Sequence, residues 1–312
     1  MERFVYLQAG DYRATIDLYH GANCISLRNL RYNACLLREP ENPDRLDNPY
    51  LYGMPILFPV NRISGGQFVF EGRKYRFPVN EPTTGCHLHG LLHCTEFVPL
   101  EISDNKLLCV YRANGTRPYM QFPHSFEVRI GYELTKDGLK VHIAFTNLSG
   151  TNMPILLGLH TTFVSCFTSQ SQPSDILVKV PISAEYARNM DNYLPTGETP
   201  PLDTVGKRLH NGLFNPFSAA VSRHYRSAGQ GKMVIYDRGQ DLSLVYENDE
   251  KFHFRLIYNG NADGYICLEP QTCLVNCPNL PVGTDESGLD WIAPGQTKKY
   301  ISRIYLAEGD RR

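Results

Sequence analysis

The sequence predicts an all-β chain, a large antiparallel sandwich or barrel, and one domain covering residues 1–312. Strand-like segments recur every 8–12 residues with turn residues between them, the spacing of β sandwiches. No long stretch carries the 3.6-residue apolar period of a helix. Tyrosine (19) and phenylalanine (15) are abundant among 25 glycines and 21 prolines, a mixture that favours strands and tight turns. No change of composition marks a linker, and no fixed-period repeat is visible.

The elements follow in order. Arg13 to Leu18 and Cys24 to Leu30 alternate polar and apolar around the turn His20-Gly21-Ala22-Asn23. Residues 38–50 are polar and proline-rich and read as a surface loop. Gln67–Phe70 and Lys74–Phe77 flank Glu71-Gly72, the pattern of a hairpin. Residues 81–93 read as a loop holding three histidines. Phe97–Ile102 and Lys106–Arg112 are strands around Ser103-Asp104-Asn105. Ser125–Leu134 and Leu139–Asn147 form the clearest strand pair, joined through an Asp-Gly step. Strands are further expected at Ile176–Val180, Met233–Tyr236, Asp241–Tyr246, Phe252–Tyr258, Tyr265–Glu269 and Lys299–Leu306. Residues 202–230 show too weak a period for assignment.

Charge and cysteine content narrow the functional classes. Lys plus Arg is 31 and Asp plus Glu is 32, a net charge of −1. That balance gives no attraction toward nucleic acid or an anionic membrane. No apolar run approaches the roughly 20 residues of a membrane helix, and the N-terminus lacks the apolar core of a secretory signal. Nine scattered cysteines without a regular framework fit reduced thiols, so a cytoplasmic protein is expected.

Glu269 ends the apolar run Tyr265-Ile266-Cys267-Leu268 and is followed by Pro270. Proline fixes its own φ and extends the residue before it. Glu269 is therefore expected at a rigid strand end where the chain leaves the sheet. A carboxylate there is either salt-bridged or chemically employed. Apolar neighbours should raise its pKa. His160 sits in the apolar run 155–163, two residues after Gly158; a glycine in such a place permits close approach. It is either a hydrogen-bonded core histidine or an acid–base group. His87 and His89 are two apart and on an extended segment would point the same way. They suit loop packing, a polar ligand or, less well, a metal, because the next acid, Glu96, is too far along for a cupin-like H-x-H motif. Arg62, after Asn61, has the fork that grips carboxylates or sugar hydroxyls. No Walker, dinucleotide or G-x-S-x-G fingerprint is present.

In combination these pieces are more specific. NRISGGQFVFEGRKYRFPVN (61–80) followed by HLHG, then FPHSFEVRIGYELTKDGLKVHIAFTNLSGTNMPILLGLHTTF (122–163), YLPTGE (193–198) and LEPQT (268–272) resemble the landmarks of the aldose 1-epimerase (galactose mutarotase) family, in family order. Met153-Pro154 and Gly158-x-His160 match one branch of it more closely than the branch with Asn-His. The resemblance implies a galactose mutarotase-like β-supersandwich with a sugar-binding groove. It implies Glu269 as general base and His160 as general acid, with Arg62, His89, Asn61 and Gln271 supporting the sugar. No metal and no cofactor is expected, and the partner is a small sugar, bound by a monomer or homodimer. A departure concerns an aspartate that the family usually carries between the Thr-Gly-Glu turn and the Glu-Pro strand. Residues 208–221 hold none, Asn211 is a neutral stand-in, and Asp203 and Asp237 are alternatives.

The expected reaction interconverts the α and β anomers of a free hexose. One proton leaves the anomeric hydroxyl and another reaches the ring oxygen, so a carboxylate and a protonated imidazole on either side of the ring suffice. A hexose 6-phosphate as substrate would need a basic pocket. A non-catalytic carbohydrate-binding or regulatory module and a metal enzyme built on His87 and His89 are the competing expectations.

Overall fold

The computed structural model describes residues 2–44, 48–229 and 232–312. An eight-stranded antiparallel sheet runs in the order Val98–Ile102, Lys106–Ala113, Phe126–Thr135, Gly138–Asn147, Thr297–Glu308, Leu242–Asn248, Met233–Asp237 and Ile176–Lys179. A second sheet of seven strands runs through Ile182–Tyr186, Ser222–Ser227, Phe254–Tyr258, Tyr265–Gln271, Gly158–Leu159 and Ile56–Leu57, with Thr161–Val164 also pairing onto Tyr265–Gln271. A four-stranded sheet of the first 35 residues completes the layers. The result is a β-rich sandwich of antiparallel sheets, the class that the strand and turn pattern predicts.

Side-chain alternation explains why the sheets stack. In Gly138–Asn147 the side chains of Leu139, Val141, Ile143 and Phe145 are buried while those between them face outward. Each such buried side chain contributes about 1.5–3 kcal/mol relative to exposure. On the facing sheet Leu159, Phe163, Ile257, Ile266 and Leu268 join the same apolar cluster. The Phe163 ring meets that of Tyr246 at 5.3 Å, and the Thr161 and Tyr246 hydroxyls lie 2.8 Å apart, tying the two sheets together.

The hairpin at Glu71-Gly72 forms as expected, Phe70 pairing with Arg73 across two residues of positive φ. Thr135 pairs with Gly138 at the Asp-Gly turn. Three expectations change. The strand opening at Tyr265 does not end at Glu269 but runs on to Gln271, with Pro270 opposite Arg255. A proline is tolerated there because the neighbouring ladder is interrupted at His160, whose N–H turns away to the Pro55 carbonyl at 2.9 Å. The 81–93 loop contains a strand, Cys86–Leu88, paired with Arg62–Ser64. The unassigned stretch holds the helix Thr204–His210, capped by the Asp203 side chain on the Gly206 N–H, and the strand Ser222–Ser227; two helical turns are too few to show a period. Of the expected surface loop 38–50, residues 45–47 lie outside the described residues, as does residue 230 of the unassigned stretch. Among the described residues no helix is long and apolar enough to cross a membrane.

Candidate active site

The outer face of the seven-stranded sheet is the floor of a cleft of about 610 Å³, a volume typical of small-molecule sites. Alternation along Tyr265–Gln271 sends Ile266 and Leu268 into the core and leaves Cys267, Glu269 and Gln271 on the opposite face. Register then brings the imidazole to the carboxylate. Thr161 pairs with Leu268 and Gly158 with Gln271, so the same register sets His160 opposite Glu269. Directly opposed residues share a face with their Cβ atoms about 5 Å apart. Accordingly His160 Nε2 lies 3.2 Å from Glu269 Oε1, the carboxylate 1% and the imidazole 8% exposed.

A chain of amides orients the carboxylate. Asn61 Nδ2 donates to Gln271 Oε1 at 3.3 Å, and Gln271 Nε2 donates to Glu269 Oε2 at 3.3 Å. Glu269 Oε1 is left without a hydrogen-bond partner. Gln271 itself is fully buried and does not line the cleft, so the expected contact with substrate is corrected to support of Glu269 from beneath. Gly158 makes that packing possible. A Cβ there would lie 2.3 Å from Val60 Cγ2 and 3.2 Å from Gln271 Cγ, so the close neighbours are protein side chains rather than a ligand.

His89 leaves its strand with φ +62 and packs its ring 4.6 Å from Tyr50 and 5.5 Å from His160. Its Nδ1 accepts the Asn61 N–H at 3.2 Å, which assigns the proton of the neutral ring to Nε2. Burial and the neighbouring His160 and Arg62 hold its pKa well below the ordinary value. The same turn splits the H-x-H pair: His87 does not share a direction with His89, but stacks on Phe77 and bonds the Pro78 carbonyl at 2.8 Å. Arg62 lines the cleft, but its fork is taken by Glu81, at 2.7 Å from both Nε and Nη2. A small-molecule ligand therefore meets Arg62 as half of an ion pair, not as a free fork.

Burial sets the protonation of the central pair. Desolvation pushes Glu269 up to about 8, against a smaller opposing pull from Arg188, and pushes His160 down to about 4. The expected rise in Glu269 is present. For His160 the direction is opposite to the expected resting imidazolium: burial disfavours the charged form of both groups and so favours a neutral carboxyl beside a neutral imidazole. The carboxylate–imidazolium form of the pair holds the same number of protons as this neutral form.

His160, Cys267 and Glu269 place one potential metal-ligand atom each within 4.8 Å of one another. Two of the three residues, His160 and Glu269, are the candidate acid–base pair, so a cation there would compete with protons for them. The alternatives for the aspartate lie elsewhere. Asp203 caps its helix and pairs with Arg223, Asp237 is buried in the eight-stranded sheet, and Asn211 ends the same helix. From the interval 199–268 the cleft takes Ser222, Leu256, Tyr258 and Asn261. Among the further cleft residues that escaped sequence reasoning are Tyr50, Glu81, Arg188 and Tyr193. Tyr193 begins the YLPTGE landmark and was within reach; Arg188 carries no local signal.

A family model described as aldose 1-epimerase matches residues 4–305. The chain is 30% identical over 184 residues to the uncharacterized Escherichia coli K12 protein YihR, covering 59% of this chain but only 56% of YihR. It is 24% identical to the uncharacterized E. coli protein YphB, across 78% of this chain and 79% of that one. Among solved structures, a galactose mutarotase-like protein from Clostridium acetobutylicum superposes with a TM-score of 0.92 at 27% identity, covering 98% of this chain and 95% of that chain. A GalM/aldose epimerase homologue from Caenorhabditis elegans shares the fold with a TM-score of 0.77 at 13% identity, covering 98% and 99%.

Proposed function

Because this chain belongs to the aldose 1-epimerase family, we propose that it interconverts the α and β anomers of an aldohexose whose anomeric hydroxyl is free. The observation that supports this is the His160–Glu269 pair, 3.2 Å apart on the floor of the cleft. The anomeric oxygen and the ring oxygen are both bonded to C1, so an adjacent base and acid reach the two together. In the productive state Glu269 is a carboxylate and His160 an imidazolium. Glu269 takes the anomeric hydroxyl proton as His160 protonates the ring oxygen. The C1–O5 bond breaks, the C1 carbonyl forms, and the pair is left with its proton on Glu269. Rotation about C1–C2 presents the other carbonyl face. The ring hydroxyl then adds to C1, giving its proton to His160 while Glu269 returns one to the new anomeric oxygen. The neutral His89 Nε2–H serves as a donor to sugar oxygens as charge develops.

The test is polarimetry on freshly dissolved pure anomers, with the wild type beside Glu269→Gln and His160→Ala. Each proton transfer is worth about 10²–10⁴-fold, so both variants should return decay close to the uncatalysed trace. Wild-type and Glu269→Gln traces that coincide, with saccharide binding intact, would instead identify a non-catalytic carbohydrate-binding module.

A further inference from the structure

The cleft carries an uncompensated cation on the side remote from the acid–base pair. Its charged lining residues are Arg62, Glu81, Arg188 and Glu269. Arg62 and Glu81 neutralise one another, and burial raises the pKa of Glu269, disfavouring its charged form. Arg188 remains. Among the described residues it makes no ion pair; its Nη2 donates only to the Ser222 carbonyl and, at 3.1 Å, to the Ser222 hydroxyl. Its guanidinium lies 5.6 Å from the Tyr193 ring centroid, and that of Arg62 lies 4.6 Å from the same ring, so Tyr193 is shared by both cations. Burial and Arg62 both oppose the charge on Arg188, whose pKa is lowered in consequence. A half-buried guanidinium next to another cation, with donors left over, is an anion site awaiting its ligand.

Sheet geometry places that site at the length of a monosaccharide from the chemistry. Tyr186, His224, Leu256 and Glu269 are successive cross-strand partners. Arg188 lies two residues beyond Tyr186, opposite Ser222. It is therefore three strands across and two residues along from Glu269, about 16 Å between backbones at roughly 4.8 Å per strand and 3.4 Å per residue. Side chains reaching in from both ends narrow this to the span of a pyranose with an extended substituent. The interval between the Thr-Gly-Glu turn and the Glu-Pro strand, from which the resemblance implies an aspartate, brings only neutral side chains to the cleft here, while Arg188 adds a cation to its lining.

Building on the mutarotase function proposed above, we infer that the substrate is an anionic aldose, whose carboxylate, sulfonate or phosphate, carried on the carbon remote from C1, is bound by Arg188 beside Tyr193. Anomerisation and binding are measured for glucuronate, 6-deoxy-6-sulfoglucose and glucose 6-phosphate against glucose itself, by exchange NMR for rates and by calorimetry for Kd. At least one anionic sugar should show a kcat/KM and an affinity ten- to a hundredfold better than glucose, the worth of a charge-assisted hydrogen bond. Which anion leads identifies the group. In Arg188→Met the ratio of anionic to neutral kcat/KM should fall by about the same factor, and Arg188→Lys should restore part of it. Glucose equal to or better than all three, in both rate and affinity, overturns the anion site while leaving a mutarotase. Absent turnover of every sugar, with Arg188-dependent selective binding of an anion, overturns the catalytic proposal and keeps the site.

Discussion

The two large sheets share one apolar core but differ in what they carry on their other surfaces. The eight-stranded sheet alternates hydrocarbon inward and mixed polar side chains outward, as Gly138–Asn147 shows. The seven-stranded sheet buries polar groups on its cleft face: Glu269, Gln271 and His160, and also His224, neither of whose ring nitrogens has a partner. An unpaired buried polar atom costs about 1–3 kcal/mol. The eight-stranded sheet also buries unpartnered polar atoms, on Asp237 and Asn248, but none of its residues lines the cleft; the difference is that the seven-stranded sheet aims such groups, Glu269 and His160, into it. Strain of this kind is the expected mark of a site.

Four experiments sharpen or break this contrast. The largest effect is expected for Glu269→Gln: kcat/KM falls about 10²–10⁴-fold while urea unfolding shows no loss of stability, because a buried carboxyl is replaced by a neutral amide. A large drop in the unfolding midpoint would make Glu269 a structural residue. Phe145→Ala, in the other sheet, should do the reverse. Phe145 is fully buried and 5.0 Å from the Phe58 ring, so its truncation costs about 3–5 kcal/mol of stability with kcat/KM per folded molecule retained. Gln271→Leu tests the relay between the two behaviours. Loss of one hydrogen bond to the carboxylate should lower kcat about tenfold with little change in KM. It should also move the alkaline limb of the pH profile upward, because Gln271 lowers the Glu269 pKa. A change confined to KM would return Gln271 to the role of a substrate ligand.

The smallest effects concern pH. The pair holds one proton between about 4 and about 8, so kcat/KM should be bell-shaped with limbs near those values. Stability follows with opposite signs. From 4.5 to about 8 the folded chain keeps a Glu269 proton that the unfolded chain has lost, so this contribution falls as pH rises. From about 4 to 6.5 the unfolded chain protonates His160 and the folded chain does not, so this one rises with pH. Each is bounded by about 1.4 kcal/mol per pH unit. Glu269→Gln should therefore gain on the wild type in thermal melts between pH 6.5 and 8; parallel curves would show that the carboxyl is not held protonated.

Much of the sandwich was legible because strand alternation and turn chemistry are local. Ser125–Leu134 against Leu139–Asn147, and the Glu71-Gly72 hairpin, needed only neighbouring residues. The candidate acid and base, His160 and Glu269, were also nameable in advance, as were Asn61, Arg62 and His89 on the cleft wall. Their relations were not. His87 and His89, two apart in sequence, point apart because the positive φ of His89 ends their strand. Arg62, read as a free fork, is already occupied by Glu81. Arg188, which no nearby residue announces, is the cation the cleft leaves open.

By itself the sequence determined the sandwich architecture, most strand positions, the family landmarks and the side chains able to move protons. Each depends on chemistry within a few residues. Only the tertiary structure decided that Glu269 and His160 face one another, that burial disfavours the charge on both, and which cleft arginine makes no ion pair among the described residues. Those outcomes follow from strand register and burial, which couple residues about a hundred positions apart and set the cost of every charge.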